Sequence, residues 1–108
     1  QGDSYLTKIT FENKQLEVLN TDLKLNLTKE ISSIIQSYLK TSDMLSAENF
    51  NSYYILLPET KESQLERLEN IQYNLSKLLS DNVSDTKQEI KIEIHKISGT
   101  DNSNTYFE

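Results

Sequence analysis

No cysteine occurs in this chain of 108 residues, and proline and histidine occur once each. Without cysteine there is no disulfide, no thiolate metal ligand and no thiol nucleophile. Two glycines and a single proline exclude a collagenous or low-complexity linker. No apolar run approaches the roughly 20 residues that cross a bilayer, and no signal-peptide core opens the sequence. Positive charge is also scarce: 17 acidic side chains stand against 11 basic ones, for a net charge of −6. A non-specific nucleic-acid binder needs a cationic surface to displace counterions, so that class is excluded. Docking on an anionic membrane surface is disfavoured for the same reason.

What remains fits one domain. The length suits a single compact core. Hydrophobic residues make up 35% of the chain, low for a globular domain but above the level of a disordered one, and they are concentrated in periodic segments. In YLTKITF, residues Tyr5, Thr7, Ile9 and Phe11 alternate onto one face, as a strand with one buried side requires. Leu27, Ile31, Ile34, Ile35, Tyr38 and Leu39 then recur at three- and four-residue spacing, which predicts an amphipathic helix over Leu27–Lys40. EVLNTDLKLN before it reads as a shorter helix followed by a turn.

YYILLP, Tyr53–Pro58, is a continuous apolar run, the pattern of a central strand covered on both faces. Pro58 lacks an N–H and is expected to end it, with Thr60 capping the next helix and Glu62 in its first turn. Leu65, Leu68, Ile71, Leu75, Leu78 and Leu79 form that helix's buried stripe, with Glu66, Arg67, Glu69 and Lys77 largely off it. The stripe is too short for a free-standing coiled coil. SDNVSDTK is a polar loop. EIKIEIHKI alternates again, with Ile90, Ile92 and Ile94 inward and Lys91, Glu93 and His95 outward. The order strand, helix, hairpin over 44–57, helix, strand predicts an α+β sandwich: an antiparallel-containing sheet with packed helices. The domain is expected over 3–98, with 99–108 a polar tail or loop. The opening Gln1-Gly2 resembles a protease scar, so the chain is expected to be a piece of something longer.

Three short motifs carry nothing. The sequons at Asn26, Asn74 and Asn82 are coincidences of a chain rich in Asn, Ser and Thr. LPETK lacks the glycine that a sortase substrate needs after Thr60. His95, on an outward strand face beside Glu93 and Lys96, reads as a solvated side chain rather than a ligand or base.

One stretch says more. LKTSDMLSAENFNSYYILLPET resembles the heart of the GGDEF domain, the diguanylate cyclase family that joins two GTP into cyclic di-GMP. In that family a helix ends in an R-x-x-D inhibitory motif, and a hairpin carrying a G-G-[DE]-E-F turn leads into LLPET and the next helix. Without a gap, Lys40 takes the place of the motif's Arg and Asp43 that of its Asp. The signature falls on Asn49, Phe50, Asn51, Ser52 and Tyr53. The helices on either side look like the family's, EIKIEIHKISG resembles its VTVSIGVA strand, and LEVLN resembles its FKxIN. This puts Asn20 at the guanine-contacting Asn and Glu12 and Lys14 near two Asp positions. The resemblance covers most of the chain and rests on scaffold residues. It implies a ferredoxin-like, nucleotide-cyclase-like sandwich, expected to stop short of the family's final helix and strand.

The resemblance also implies that catalysis is lost. Phosphoryl transfer needs divalent metal held by oxygen ligands. Asn51 replaces a carboxylate, Ser52 supplies none, and Lys14 would repel the metal that Glu12 could ligate. Glycines let backbone N–H groups approach phosphate with φ > 0; Asn49 tolerates that geometry and Phe50 does not. No catalytic residue, metal or cofactor is therefore expected. Cyclic di-GMP binding through Lys40, Asp43 and Asn20 is disfavoured: Lys40 is a point charge that cannot reproduce an Arg fork, and a second Arg position falls on Ala47.

Phe50 has two readings of similar weight, a plug in the space left by the nucleotide and a contact for a protein partner. The first expectation for function is an inactive GGDEF-like module, cytoplasmic or on the cytosolic side of a membrane-anchored parent. It would hold a protein partner or a second copy within a signalling or exopolysaccharide-related protein. Three others stand beside it: a cyclic di-GMP or nucleotide receptor, an active enzyme with altered metal ligation, and an unrelated α+β binding module.

Overall fold

The computed structural model describes residues 2–12, 14–82 and 89–97, with Lys14 described by its backbone alone. The expected tail 99–108 and most of the SDNVSDTK loop lie outside the described residues. Strand β1 spans Asp3–Phe11, followed by a short α1, Lys14–Glu17, and a long α2, Thr21–Gln36. Strands β2, Met44–Asn49, and β3, Ser52–Thr60, form the hairpin. A 3₁₀ segment, Glu62–Glu66, leads into α3, Arg67–Asn82, and β4 spans Ile90–Ile97. The strands form one antiparallel sheet in the order β2-β3-β1-β4. That is the α+β sandwich expected from the sequence.

Alternation decides which face of the sheet is dry. Tyr5, Thr7, Ile9 and Phe11 on β1 and Tyr53, Ile55 and Leu57 on β3 are all buried. They meet Leu27, Ile31 and Ile35 of α2 and Leu68, Ile71, Leu75 and Leu79 of α3 in one core. Removing a Leu or Ile side chain from water contributes about 1.5–3 kcal/mol apiece. On the other face, Leu6 and Leu56 are half-buried and Met44 is 65% exposed, and among the described residues no helix covers them. The YYILLP run is thus central but sheltered on one side only.

Four local expectations are corrected. α2 begins at Thr21, not Leu27, because Asn20 caps it: its Oδ1 accepts from Leu23 N at 2.8 Å. β3 runs through Pro58 to Thr60. The last residue of β2 to pair beyond the hairpin is Met44, opposite Leu56, and β1 shifts register between Asp3 and Tyr5. Pro58 therefore sits in a bulge, where its missing N–H forfeits no ladder bond. The same bulge holds Glu59 at φ 47°, a left-handed conformation costing about 1 kcal/mol. Thr60 does not cap the helix. It is buried at the strand's end, its hydroxyl donating to Pro58 O at 3.1 Å, and the 3₁₀ entry is instead tied by Lys61 N donating to Gln64 Oε1 at 2.8 Å.

The fourth concerns β4. Ile90, Ile92 and Ile94 do share the helix-side face, since Ile92 lies opposite Ile9 and Ile94 opposite Thr7. They are not fully covered, and Ile94 is 43% exposed. At the sheet's edge the helical layer does not reach over them. His95 on the opposite face is half-buried.

Leu75 is fully buried between sheet and helices. Leu75→Ala is expected to destabilise the fold by about 2–5 kcal/mol. In urea denaturation this should appear as a lower midpoint at unchanged slope.

Candidate functional site

The residues singled out by the sequence lie at the two ends of β3. At one end Phe50 and Asn51 turn the chain between β2 and β3. Two-residue hairpin turns usually need φ > 0, yet Glu59 is the only non-glycine residue with positive φ among the described residues. A register shift between Ala47 and Asn49 absorbs the twist instead. Neither Asn49 nor Phe50 adopts the glycine-like geometry considered from the sequence.

Local bonds hold this turn. Asn49 Oδ1 accepts from Asn51 N at 3.0 Å, and Asn51 O accepts from Phe11 N at 2.9 Å, tying the turn to the end of β1. Tyr53 donates its hydroxyl to Phe50 O at 3.1 Å, and its ring meets Phe11 edge-on at 5.8 Å. The Phe50 ring is half-buried against the core, with Lys24 Nζ 4.7 Å from its centroid, a cation–π geometry. Asn20 lies one helical turn before Lys24, at the same end of the fold, and its side-chain oxygen is engaged in capping α2.

The turn's donor set does not fit a divalent cation. Hard cations take six or more oxygens, several of them carboxylate. Here Asn49 Oδ1 is occupied, and Ser52 Oγ is buried without a partner. Glu12, exposed, has its backbone N–H bonded to Glu89 O at 3.0 Å. Among the described residues no three His, Asp or Glu side chains gather.

At the other end lie Lys40 and Asp43. Asp43 has a fully buried carboxylate whose Oδ2 accepts from Lys40 N at 2.6 Å and from Arg67 Nη1 at 2.8 Å. Arg67, on α3, is 14% exposed and also donates to Tyr38 O at 3.1 Å. Lys40 Nζ lies 3.4–3.5 Å from Pro58 O, Glu59 O and Thr60 Oγ1. Arg67 Nε and Nη2 and Asp43 Oδ1 are buried without partners. Beside them is a hollow of about 330 Å³ lined by Lys40, Ser63, Gln64, Glu66, Arg67 and Asn70.

Arg67 is what helical periodicity missed, because it falls off the leucine stripe. One signal pointed to it: it is the single arginine among 11 basic residues, and arginine's planar fork suits a buried carboxylate better than lysine does.

No family model matches the chain, and no curated protein matches it. Solved structures do. The active GGEEF domain of a diguanylate cyclase from Vibrio cholerae superposes with a TM-score of 0.64 at 10% identity, over 94% of this chain and 66% of that one. An EAL/GGDEF domain protein from M. capsulatus superposes with a TM-score of 0.58 at 15% identity, over 86% of this chain and 63% of that one. The chain has a GGDEF-like fold. It spans about two thirds of the length of these neighbours. Asn49 ends β2, Phe50 and Asn51 form the hairpin tip, and Ser52 and Tyr53 open β3. Lys40 and Asp43 lie at the far end of α2, joined there by Arg67.

Removing one member of a buried ion pair strands the other. Arg67→Met is expected to destabilise the fold by about 3–5 kcal/mol. Adding Asp43→Asn should recover most of that loss, as read by denaturant titration of the single and double variants.

Burial raises the Tyr53 phenol above its ordinary 10.0, with a hydrogen bond to Thr28 opposing the shift. The unfolded chain then ionises first. Tyr53's contribution is complete below pH 10 and is lost as pH rises through 10 and above. Tyr53→Phe should flatten the alkaline limb of a stability–pH curve.

Proposed function

We propose that this GGDEF-like domain makes no cyclic di-GMP and serves as a regulatory or protein-interaction module of a larger signalling or exopolysaccharide-related protein. The observation that carries the reading is the hairpin tip. Where the family's signature has two glycines and two acids, this chain has Asn49, Phe50, Asn51 and Ser52. Phe50 rests on the core under Lys24, and the backbone bonds its own side chains. A triphosphate needs open backbone N–H groups and a metal held by carboxylates. Asn49, Phe50, Asn51 and Ser52 bring no carboxylate, and the Asn51 N–H is already bonded to Asn49 Oδ1.

A second reading is favoured by one observation. The sequence expects no guanidinium at the inhibitory-motif position, yet Arg67 brings one to Asp43 and Lys40 beside a hollow. That supports a receptor for cyclic di-GMP that does not turn it over. Against it, Asp43 Oδ2 already serves two donors and the unpartnered Arg67 nitrogens are buried, so a ligand would have to open the ion pair. Location belongs to the proposal as well: among the described residues no helix is long and apolar enough to cross a membrane, and a cytoplasmic module is the reading we adopt.

Purified protein incubated with GTP and Mg²⁺ or Mn²⁺ is expected to yield no cyclic di-GMP by chromatography; product formation overturns the proposal. Thermal shift separates the two readings. A ligand present at about 100 times its Kd adds about 2.7 kcal/mol. The module reading expects no shift with cyclic di-GMP, whereas the receptor reading expects one that Arg67→Lys diminishes.

A further inference from the structure

The edge of the sheet at β4 combines three features. First, it is an unpaired edge among the described residues. β4 pairs with β1 alone, and in an antiparallel ladder alternate residues point their N–H and C=O groups away from the partner. Glu12 N donates to Glu89 O, so the odd-numbered residues face β1, and Ile90, Ile92, Ile94 and Lys96 face outward. Gln72 confirms the direction: its Nε2 reaches from α3 to Ile90 O at 3.3 Å. This bond closes the upper end of the edge and leaves the backbone groups from Ile92 onward.

Second, the same isoleucines present incompletely covered side chains. Ile92 and Ile94 form one wall of a groove of about 400 Å³, and Leu65 and Leu68 lie across from them. Third, the rim is acidic. Glu62, Glu66 and Glu69 line the groove, all exposed and none in an ion pair among the described residues. No lysine or arginine lines it; nearby Lys96 pairs with Asp3 at 3.1 Å and also lies within the field of Glu62, which leaves Glu66 and Glu69 as the rim's unopposed charges.

We infer that this edge accepts an extended segment of a partner protein in which apolar and basic residues alternate. Its backbone would continue the sheet beyond β4, its apolar side chains would cover Ile92 and Ile94, and its lysines or arginines would meet Glu62, Glu66 and Glu69. Strand addition of this kind draws affinity from main-chain hydrogen bonds and specificity from alternate side chains. Charge selects among the occupants. Residues 98–108 contain Asp101 and Glu108 and no basic residue, so they match the rim poorly. A second copy docked edge to edge would bring two sets of three glutamates together. The inference rests on the interaction-module reading and names the partner's chemistry. Its test is independent of the GTP assay, so either can fail alone.

The probe is a fluorescent octapeptide of alternating lysine and valine, titrated into the full chain and followed by anisotropy. Two controls accompany it: the glutamate–valine counterpart, and a lysine–valine peptide N-methylated at alternate amides. The lysine–valine peptide is expected to bind at least about tenfold more tightly than either control. Amide resonances of Ile92, Ile94 and Lys96 should shift on binding. The triple variant Glu62→Gln, Glu66→Gln, Glu69→Gln should lose about tenfold in affinity with its circular dichroism unchanged.

Equal binding of the N-methylated peptide would reduce the effect to charge alone and overturn the inference, as would no binding up to about 1 mM. It also falls if the peptide binds only after residues 98–108 are deleted. A dimer seen by light scattering and broken by Ile94→Lys would equally overturn it, because the groove would then belong to a second copy.

Discussion

The sheet has one dry face, and the rest of the molecule is arranged around that constraint. β1 and β3 lie side by side in the middle of the sheet, and their alternate residues from Tyr5 to Phe11 and from Tyr53 to Leu57 are buried. A slip of one residue in either strand would carry Ile9 or Ile55 to the other face and bring Lys8 or Tyr54 inward, so the register is strongly held. Once it is held, α2 and α3 have one place to lay their apolar stripes, and both ends of β3 are fixed in space.

At both of those ends, side chains close on their own surroundings. At the hairpin tip, side chains satisfy the backbone: Asn49 caps Asn51, Tyr53 bonds Phe50, and Phe50 packs down rather than standing clear. At the other end, Asp43, Arg67 and Lys40 bind the close of α2 to α3 and to the tail of β3. Charged groups at such positions serve stability when they bond to each other and recognition when they stay open. Here Arg67 Nη1, Asp43 Oδ2 and Lys40 Nζ bond inward, and Arg67 Nε and Nη2 and Asp43 Oδ1 are buried without partners. A buried ion pair of this kind adds little net stability over an apolar substitute, but its geometry ties three elements into one arrangement.

The edge at β4 carries the opposite tension. Its isoleucines are as apolar as those of β1, yet the helical layer ends short of them, and the carboxylates of the 3₁₀ segment and α3 flank the gap. Exposed edges invite pairing, and proteins commonly guard them with charge. Among the described residues, Glu62, Glu66 and Glu69 stand to one side of this edge, and the exposed Lys91 and Lys96 lie on the strand itself.

Much of this is legible in the sequence. The period-two run in YLTKITF identified its buried face residue by residue, and the leucine stripe gave Leu68, Ile71, Leu75 and Leu79 of α3 correctly while Leu65 and Leu78 are only half-buried, because alternation and helical spacing are local properties of backbone geometry. The hairpin and the α+β sandwich followed from the order of elements, and the GGDEF-like fold from the resemblance carried by LKTSDMLSAENFNSYYILLPET and its flanking segments. Where local reasoning failed, something distant had decided. Pro58 stays in its strand because β2 has already ended beside it, and Ile94 stays exposed because, among the described residues, the helical layer does not extend over it. Arg67 is drawn inward by a carboxylate 24 positions earlier in the chain. Periodicity says which side of an element is apolar; only the packing of whole elements says whether anything covers that side, and which charges meet beneath it.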